Sequence, residues 1–269
     1  MSKQWNPHGT PAGQPSIRSR VLAGEQVTGA MVFEFQVPGM PAILSNAGCE
    51  YVIYDMEHAS ASYETLKWNV AACRGLPVRP MVRVPTTGYT WLARALDAGA
   101  EGVMVPMVES AEEARSIVEA CRYPPDGRRG AAFGFAHDHY MAGPVTDKVA
   151  FANQRNLVIA QIESERGIEA VDAIAATEGV DVLWVGHFDL SNFMGIPGQF
   201  DSPEFDAAVN KVVAAARKHN KALGFMASDA KWVAWAKQKG FNMLAAGTDN
   251  SLFAAAMTSM VDLINQEEK

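Results

Sequence analysis

The chain has 269 residues, of which 48% are hydrophobic and 20% are charged, and its formal net charge is −7. This composition is typical of a soluble globular enzyme, and the acidic balance argues against a nucleic-acid surface, because phosphate contacts need clustered Lys and Arg. Three cysteines without a CxxC pair predict reduced thiols in a cytoplasmic protein. No apolar run is long enough to span a bilayer, and the polar residues 1–20 lack the apolar centre of a signal peptide.

Short apolar runs alternate with helical patterns from Val21 to Lys269. Eight runs are predicted to be strands, at Val27–Glu34, Tyr51–Glu57, Arg79–Val84, Gly102–Val108, Leu157–Glu163, Asp181–Gly186, Ala222–Ala227 and Met243–Gly247. Helices are predicted between most of them, at Ser62–Cys73, Thr90–Ala98, Ala111–Cys121, Gly167–Thr177, Glu204–His219, Lys231–Lys239 and Ser251–Asn265. Alternation at this length predicts a single-domain (β/α)8 TIM barrel that follows a polar extension at 1–20. A doubly wound open sheet is the alternative, but the chain has no GxGxxG or GxxxxGK[ST] loop.

The longest irregular stretch runs from Tyr123 to Asn156. We expect it to be a long strand-to-helix loop after the fourth strand, with functional content. It carries His137 and His139, and two histidines at this spacing resemble metal ligands. In a loop such histidines are more often substrate contacts or solvated surface residues.

Polar residues follow several strands at their carboxyl ends, where barrel enzymes place their chemistry. They are Glu34, Asp55, Glu57, His58, Arg83, Gln161, Glu163, His187, Asp189, Thr248 and Asp249. Gln161 and Glu163 are two residues apart, so both are predicted to face the barrel interior. Glu163 and Asp189 follow neighbouring strands and could share one hard divalent cation. The spacing equally allows Asp189 to cap a turn and Glu163 to pair with Arg166, and Asp249 could be a helix cap.

The eight predicted strands contain no lysine, and Lys221 lies just before the seventh strand, at the wrong end. An aldolase that works through a Schiff base needs a lysine inside the barrel. Carbonyl chemistry in this barrel would therefore need a metal ion as the electron sink.

Several segments together resemble the HpcH/HpaI aldolase family of metal-dependent class II pyruvate aldolases. They are YDMEHAS, MVRVP, ALDAGAEGVMVPMVESAEEA, CRYPPDGRRG, AQIESERGIEAV and GVDVLWVGHFDLS. The resemblance implies a (β/α)8 barrel and a divalent ion, Mg²⁺, Mn²⁺ or Co²⁺. It also implies cleavage of a 4-hydroxy-2-oxoacid to pyruvate, or a close 2-oxoacid such as hydroxypyruvate, and an aldehyde. The family often forms a trimer of dimers with an exchanged last helix, so a homo-hexamer is expected.

The resemblance also implies roles for individual residues. Glu163 and Asp189 resemble the metal ligands. His58 resembles the catalytic histidine that works with a metal-bound water, and Asp97 resembles the aspartate paired with it. Because Asp97 lies near the end of the helix after strand three, at the base of its own barrel, the resemblance suggests that it reaches the histidine of a neighbouring subunit. Arg83 resembles the cation that neutralises the enolate.

Three further roles concern the substrate. Gln161 resembles a residue that orients it, and Gly186 begins the turn whose backbone would approach the pyruvate carboxylate. The family often has a proline after this glycine, whereas this chain has His187 and Phe188. We expect both to line the substrate pocket, where a contact of His187 with the metal is the alternative, and we expect Glu34 to repel an anionic aldehyde.

Two other functions stay open on the sequence. A citrate-lyase-like or malyl-CoA-lyase-like enzyme would use the same metal core, but it would need basic residues for a CoA thioester, and no cluster is evident beyond Arg128 and Arg129. A non-catalytic protein that binds a metal and a 2-oxoacid would tolerate loss of the base, which His58 and Asp97 argue against.

Overall fold

Eight parallel strands form a closed barrel in chain order in the computed structural model, which describes residues 15–266. The strands are β1 (Val27–Val32), β2 (Tyr51–Asp55), β3 (Arg79–Arg83), β4 (Gly102–Val105), β5 (Leu157–Ile162), β6 (Val182–Val185), β7 (Ala222–Met226) and β8 (Met243–Thr248). β1 pairs with both β2 and β8, which closes the sheet. The predicted TIM barrel and its eight strands are confirmed. The predicted and observed bounds of the strands differ mostly at the carboxyl ends.

Eleven α-helices lie within the described residues. They are α1 (Ile17–Leu22), α2 (Met40–Asn46), α3 (Tyr63–Ala72), α4 (Tyr89–Asp97), α5 (Ala111–Cys121), α6 (Val145–Arg155), α7 (Glu165–Ala176), α8 (His187–Phe193), α9 (Pro203–Lys218), α10 (Ala230–Lys239) and α11 (Asp249–Asn265). The seven predicted helices are confirmed to within two residues at each end. Serine caps start several of them; for example, Ser164 accepts the backbone N–H of Gly167 at 3.1 Å at the start of α7.

The strands are buried on both faces, and alternate residues belong to two separate apolar clusters. On β5, Leu157 and Ile159 belong to the cluster that fills the barrel, whereas Val158 and Ala160 belong to the cluster between the strands and the helices. Full burial of one large apolar side chain contributes about 1.5–3 kcal/mol. The alternation fixes the register, because a shift of one residue would exchange the two faces.

The stretch from Tyr123 to Asn156 differs from its prediction. It begins after α5 and leads into β5, so it connects a helix to a strand at the base of the barrel and is not a loop at the catalytic end. It also contains a short 3₁₀-helix (Ala136–Asp138) and α6. The buried face of α6 includes Lys148, Asn153 and Arg155, and these polar residues hide the apolar periodicity by which a helix is recognised.

Helix α1 begins inside the predicted N-terminal extension. Ile17 and Val21 belong to the cluster that fills the barrel, and Asn242 donates to the carbonyl of Val21 at 2.8 Å just before β8. This helix therefore covers the base of the barrel. Residues 1–14 of the predicted extension lie outside the described residues. Within 15–266, no helix has both the length and the apolar character needed to cross a bilayer.

Candidate active site

A buried ion pair stands at the carboxyl ends of β2 and β3. Asp55 and Arg83 are register partners, and the Arg83 Nε lies 2.5 Å from Oδ1 of the fully buried Asp55. The other oxygen of Asp55 accepts the backbone N–H of His58 at 2.8 Å. Asp55 thus fixes both the guanidinium and the turn that carries His58. Removing one partner of such a buried pair leaves the other charge without compensation.

The guanidinium of Arg83 has three neighbours and one free edge. Its Nη1 lies 3.1 Å from Oε2 of Glu57, and its Cζ lies 5.2 Å from the ring centroid of Phe33. Its Nη2 is buried, and no residue of the described chain accepts a hydrogen bond from it. A buried donor of this kind needs an acceptor, so Nη2 is available to a bound oxygen atom.

Glu163 follows β5 and is only 1% exposed. One of its oxygens accepts the backbone N–H of Met107 at 2.8 Å, and the other accepts from Nε2 of Gln161. Burial raises the pKa of Glu163 to about 7, and the negative charges of Glu57 and Asp189 act in the same direction. The carboxylates of Glu57, Glu163 and Asp189 therefore lie close enough to repel one another where little water screens them. A bound cation would stabilise their charged forms.

Asp189 lies in the first turn of α8, at the same end of the barrel. The N-terminus of α8 has no side-chain cap, so Asp189 does not act as one. The second alternative is also not formed, because Arg166 pairs with Glu109 at 3.1 Å instead of with Glu163. Both carboxylates are thus left without the structural roles that the sequence allowed.

Gly186 separates β6 from α8 and packs against the neighbouring strand end. A Cβ atom at this position would lie 2.2 Å from Oε2 of Glu163 and 2.8 Å from Nε2 of Gln161. A side chain here would displace the buried carboxylate. The glycine is therefore needed for close approach, and its φ of −86° is one that other residues adopt.

The carboxylates suit a metal ion with only two protein ligands. Among residues 15–266, no group of three or more His, Cys, Asp or Glu side chains lies close enough to hold a metal. Magnesium is commonly bound through one or two carboxylates, with substrate and water oxygens in the remaining positions. Glu163 and Asp189 match this donor set, and both supply the oxygen ligands that hard cations prefer.

His58 and Asp97 lie at opposite ends of the barrel. The His58 side chain is 55% exposed, and its Nε2 is 3.7 Å from Oε2 of Glu57. Asp97 is the last residue of α4, at the base, where it is paired with Nη2 of Arg129 at 2.5 Å. The two residues do not meet within one chain, as their positions in the sequence indicated.

The ring of His187, which was expected to line the substrate pocket, packs within a cluster of aromatic side chains. The side chain is buried, and it packs on Phe225, which belongs to the cluster between strands and helices. Its ring neighbours are Phe188, Phe200, Phe225 and Trp232, at centroid distances of 4.5–5.3 Å. Burial lowers the pKa of His187 to about 4, so the ring is neutral at physiological pH. Phe188, in contrast, is 62% exposed.

His137 and His139 lie at the base of the barrel, in the connection between α5 and β5. His137 is buried, and its Nε2 is 3.4 Å from the hydroxyl of Tyr123. Burial lowers the pKa of both histidines. Because the connection between α5 and β5 lies at the base of the barrel, both histidines are at the opposite end from Glu163. They cannot bind the same metal ion as Glu163.

Glu57 is a site residue to which the sequence analysis assigned no role. It is half-buried between Arg83 and His58, which form ion pairs with its Oε2, and no described residue donates a hydrogen bond to this oxygen. Burial raises its pKa, and the nearby Arg83 and His58 act against this. The sequence feature that could have indicated a role for Glu57 is its position directly before His58, at the end of a buried strand.

Comparison with known proteins gives concordant results over nearly the whole chain. Residues 31–256 match the model of the HpcH/HpaI aldolase/citrate lyase family. The hydroxypyruvate/pyruvate aldolase of Roseovarius nubinhibens is 35% identical over 245 residues, which cover 91% of this chain and 94% of that protein. The 5-keto-4-deoxy-D-glucarate aldolase of Klebsiella pneumoniae is 35% identical over 252 residues, with 92% and 96% covered. The crystal structure of an HpcH/HpaI aldolase from Desulfitobacterium hafniense has a TM-score of 0.90 at 31% identity, with 95% and 98% covered.

Proposed function

The chain belongs to the HpcH/HpaI aldolase/citrate lyase family, and we propose that it reversibly cleaves a 4-hydroxy-2-oxoacid to an aldehyde and pyruvate, or a close 2-oxoacid such as hydroxypyruvate. It is a carbon–carbon lyase. The main observation behind the proposal is that two buried polar groups lie at the carboxyl ends of the strands. They are the carboxylate of Glu163 and Nη2 of Arg83, which has no hydrogen-bond acceptor among the described residues. Such a site offers oxygen ligands to a metal and a fixed positive charge to an anionic oxygen.

A divalent ion, Mg²⁺, Mn²⁺ or Co²⁺, would be held by Glu163 and Asp189. When bound, it supplies positive charge that stabilises the enolate of the 2-oxoacid. Gln161 donates to Glu163 and so holds its carboxylate in one orientation. The Oε1 of Gln161 is buried and has no donor among the described residues, which leaves it available to the substrate. Gly186 leaves room for this arrangement, and the exposed Phe188 lies two residues along the chain.

His58 and Arg83 perform the proton transfer and the charge stabilisation. His58 takes the proton of the C4 hydroxyl, the C3–C4 bond breaks, and C4 becomes the carbonyl carbon of the aldehyde. The electron pair of that bond forms the enolate, and a proton then returns to C3 to give the methyl group of pyruvate. Arg83 directs Nη2 at the developing negative charge, and its pairs with Asp55 and Glu57 fix the guanidinium before the reaction begins.

We infer that the working unit is a homo-oligomer, in keeping with a hexamer of three dimers. Asp97 cannot reach His58 of its own chain, so Asp97 can orient an imidazole only in a second copy of the chain. Helix α11 supports association, because none of its residues is buried and many of its exposed residues are apolar. These are Leu252, Phe253, Met257, Met260, Val261, Leu263 and Ile264. Such a surface is typical of a protein interface, including one formed by an exchanged helix.

The deciding experiment is an assay of a panel of 4-hydroxy-2-oxoacids for pyruvate or hydroxypyruvate release. We expect EDTA to abolish turnover and Mg²⁺, Mn²⁺ or Co²⁺ to restore it. Glu163→Gln should lose both turnover and Mn²⁺ binding, whereas Glu169→Gln makes the same chemical change at an exposed position on α7 and serves as the control. Full activity in EDTA, or an imine trapped by borohydride, would contradict the proposal. Cleavage of CoA thioesters alone would favour the malyl-CoA-lyase-like alternative.

A further inference from the structure

Asp249 is the first residue of α11, and the chain holds it firmly in place. Gly247 has a φ of +86°, which is a left-handed conformation that glycine adopts without strain and which turns the chain at the end of β8. Thr248 then caps the helix and forms a capping box with Ser251. Thr248 therefore serves as the cap, and the carboxylate of Asp249 is available for another contact.

That carboxylate binds the turn that follows β1. Its Oδ1 accepts the backbone N–H of Phe33 at 2.9 Å, and its Oδ2 accepts those of Glu34 at 3.0 Å and Phe35 at 2.5 Å. Three successive N–H groups that converge on one anion form a nest, and hydrogen bonds to a charged acceptor are stronger than neutral ones. A single side chain from α11 thus accepts all three N–H groups of the Phe33–Phe35 turn.

The Phe33–Phe35 turn links α11 to the active-site arginine. The ring of Phe33 lies against Arg83, whose Cζ is 5.2 Å from its centroid. At the other end of the turn, Phe35 makes an edge-to-face contact with Phe253 of α11, at 5.5 Å between centroids. The contacts run from α11 through Asp249 and the turn to the guanidinium.

We propose that Asp249 is a positioning residue for Arg83. By fixing the Phe33–Phe35 turn, Asp249 keeps the Phe33 ring against the guanidinium, so that Nη2 stays directed into the site while Asp55 and Glu57 hold Nε and Nη1. Without the ring, one face of the guanidinium loses its support. The inference rests on the proposed function for the role of Arg83, but the structural link can be tested without turnover.

The kinetic test compares Asp249→Ala and Asp249→Asn with Asp262→Asn, an exposed position on the same helix. Misplacement of a catalytic group by about 1 Å can reduce turnover by up to about 10²-fold, and we expect Asp249→Ala to lower kcat roughly tenfold. Asp249→Asn, which keeps one acceptor oxygen, should fall between wild type and alanine. In an Arg83→Lys background Asp249→Ala should cause little further loss, because both changes act on the same group. Losses that multiply, or an unchanged kcat, would overturn the inference.

The second measurement does not depend on the reaction. Phenylglyoxal modifies accessible arginines, and Arg83 is only 5% exposed. Mass spectrometry of the Arg83 peptide should show faster modification in Asp249→Ala than in wild type and in Asp262→Asn, at equal thermal stability. Equal rates in all three proteins would overturn the inference. If wild type releases no pyruvate but the rates differ as expected, the proposed function fails and the positioning of Arg83 by Asp249 stands.

Discussion

Replacing Gly186 by alanine tests the active-site geometry with a single methyl group. The added Cβ would lie 2.2 Å from Oε2 of Glu163 and 2.8 Å from Nε2 of Gln161, whereas ordinary contacts begin at 3.4 Å. The carboxylate would therefore have to retreat by roughly 1 Å, a displacement that can cost about 10²-fold in rate. It cannot retreat freely, because Met107 and Gln161 both donate to it.

The assay measures kcat, Mn²⁺ affinity by calorimetry, and thermal stability. We expect Gly186→Ala to lower kcat on the order of 10²-fold and to weaken Mn²⁺ binding, with a stability loss of about 1–3 kcal/mol from overpacking. Gly39→Ala is the matched control, because a Cβ there would have no neighbour within 4 Å and its φ is −77°. It should behave like wild type.

The refuting result is a Gly186→Ala protein with wild-type kcat and wild-type Mn²⁺ affinity. Such a protein would show that the carboxylate of Glu163 can move without consequence, so that its orientation between Gly186 and Gln161 has no part in metal binding. A protein that loses stability but keeps both kinetic and binding constants would refute the reasoning equally well.

Three further predictions concern other parts of the molecule. Arg83→Lys should lower kcat on the order of 10²-fold, because lysine lacks the planar fork that contacts several oxygens at once, and steady-state kinetics would check this. Mixed oligomers of inactive His58→Ala and Asp97→Asn subunits should recover up to roughly a quarter of wild-type activity, since random mixing restores both residues in that share of the active sites; no recovery in proven mixed oligomers would contradict a shared site. Burial lowers the pKa of His137 in the folded protein, so as the pH decreases through the unfolded value of about 6.5 the unfolded chain binds more protons than the folded chain, and the free energy of unfolding decreases. Denaturation at pH 5 to 8 should show a shallower fall in His137→Gln; an equally steep one would rule this out.

The barrel could be predicted from the sequence because its strands are apolar on both faces. The run at Leu157–Ile162 is apolar apart from Gln161, and such short runs between helical patterns leave few alternatives to a parallel sheet. The same periodicity predicted that Gln161 and Glu163 would point in one direction, and they are hydrogen bonded to each other. Helix α6 was missed because Lys148 and Arg155 occupy its buried face.

The direction of the His187 ring could not be predicted for a different reason. Position along the chain shows that a residue follows a strand, but a helix begins at His187 and successive side chains there turn by about 100° instead of alternating. Glu163, on the preceding strand, is still governed by strand alternation, so its direction could be predicted. Long-range contacts, such as that of Asp249 with the turn at Phe33, have no local signature at all.

The closed sheet has a consequence for how copies of this chain can associate. Because β1 pairs with β8, the barrel has no edge strand whose free N–H and C=O groups could template another chain. Association must then depend on side chains, which can be changed one at a time without disturbing the backbone hydrogen bonds of the barrel. On α11, a charged residue in place of Met257 or Ile264 would weaken association between subunits at an exposed surface. It would leave the hydrogen bonds between the barrel strands intact. Solubility and assembly of this molecule can therefore be tuned separately from its folding.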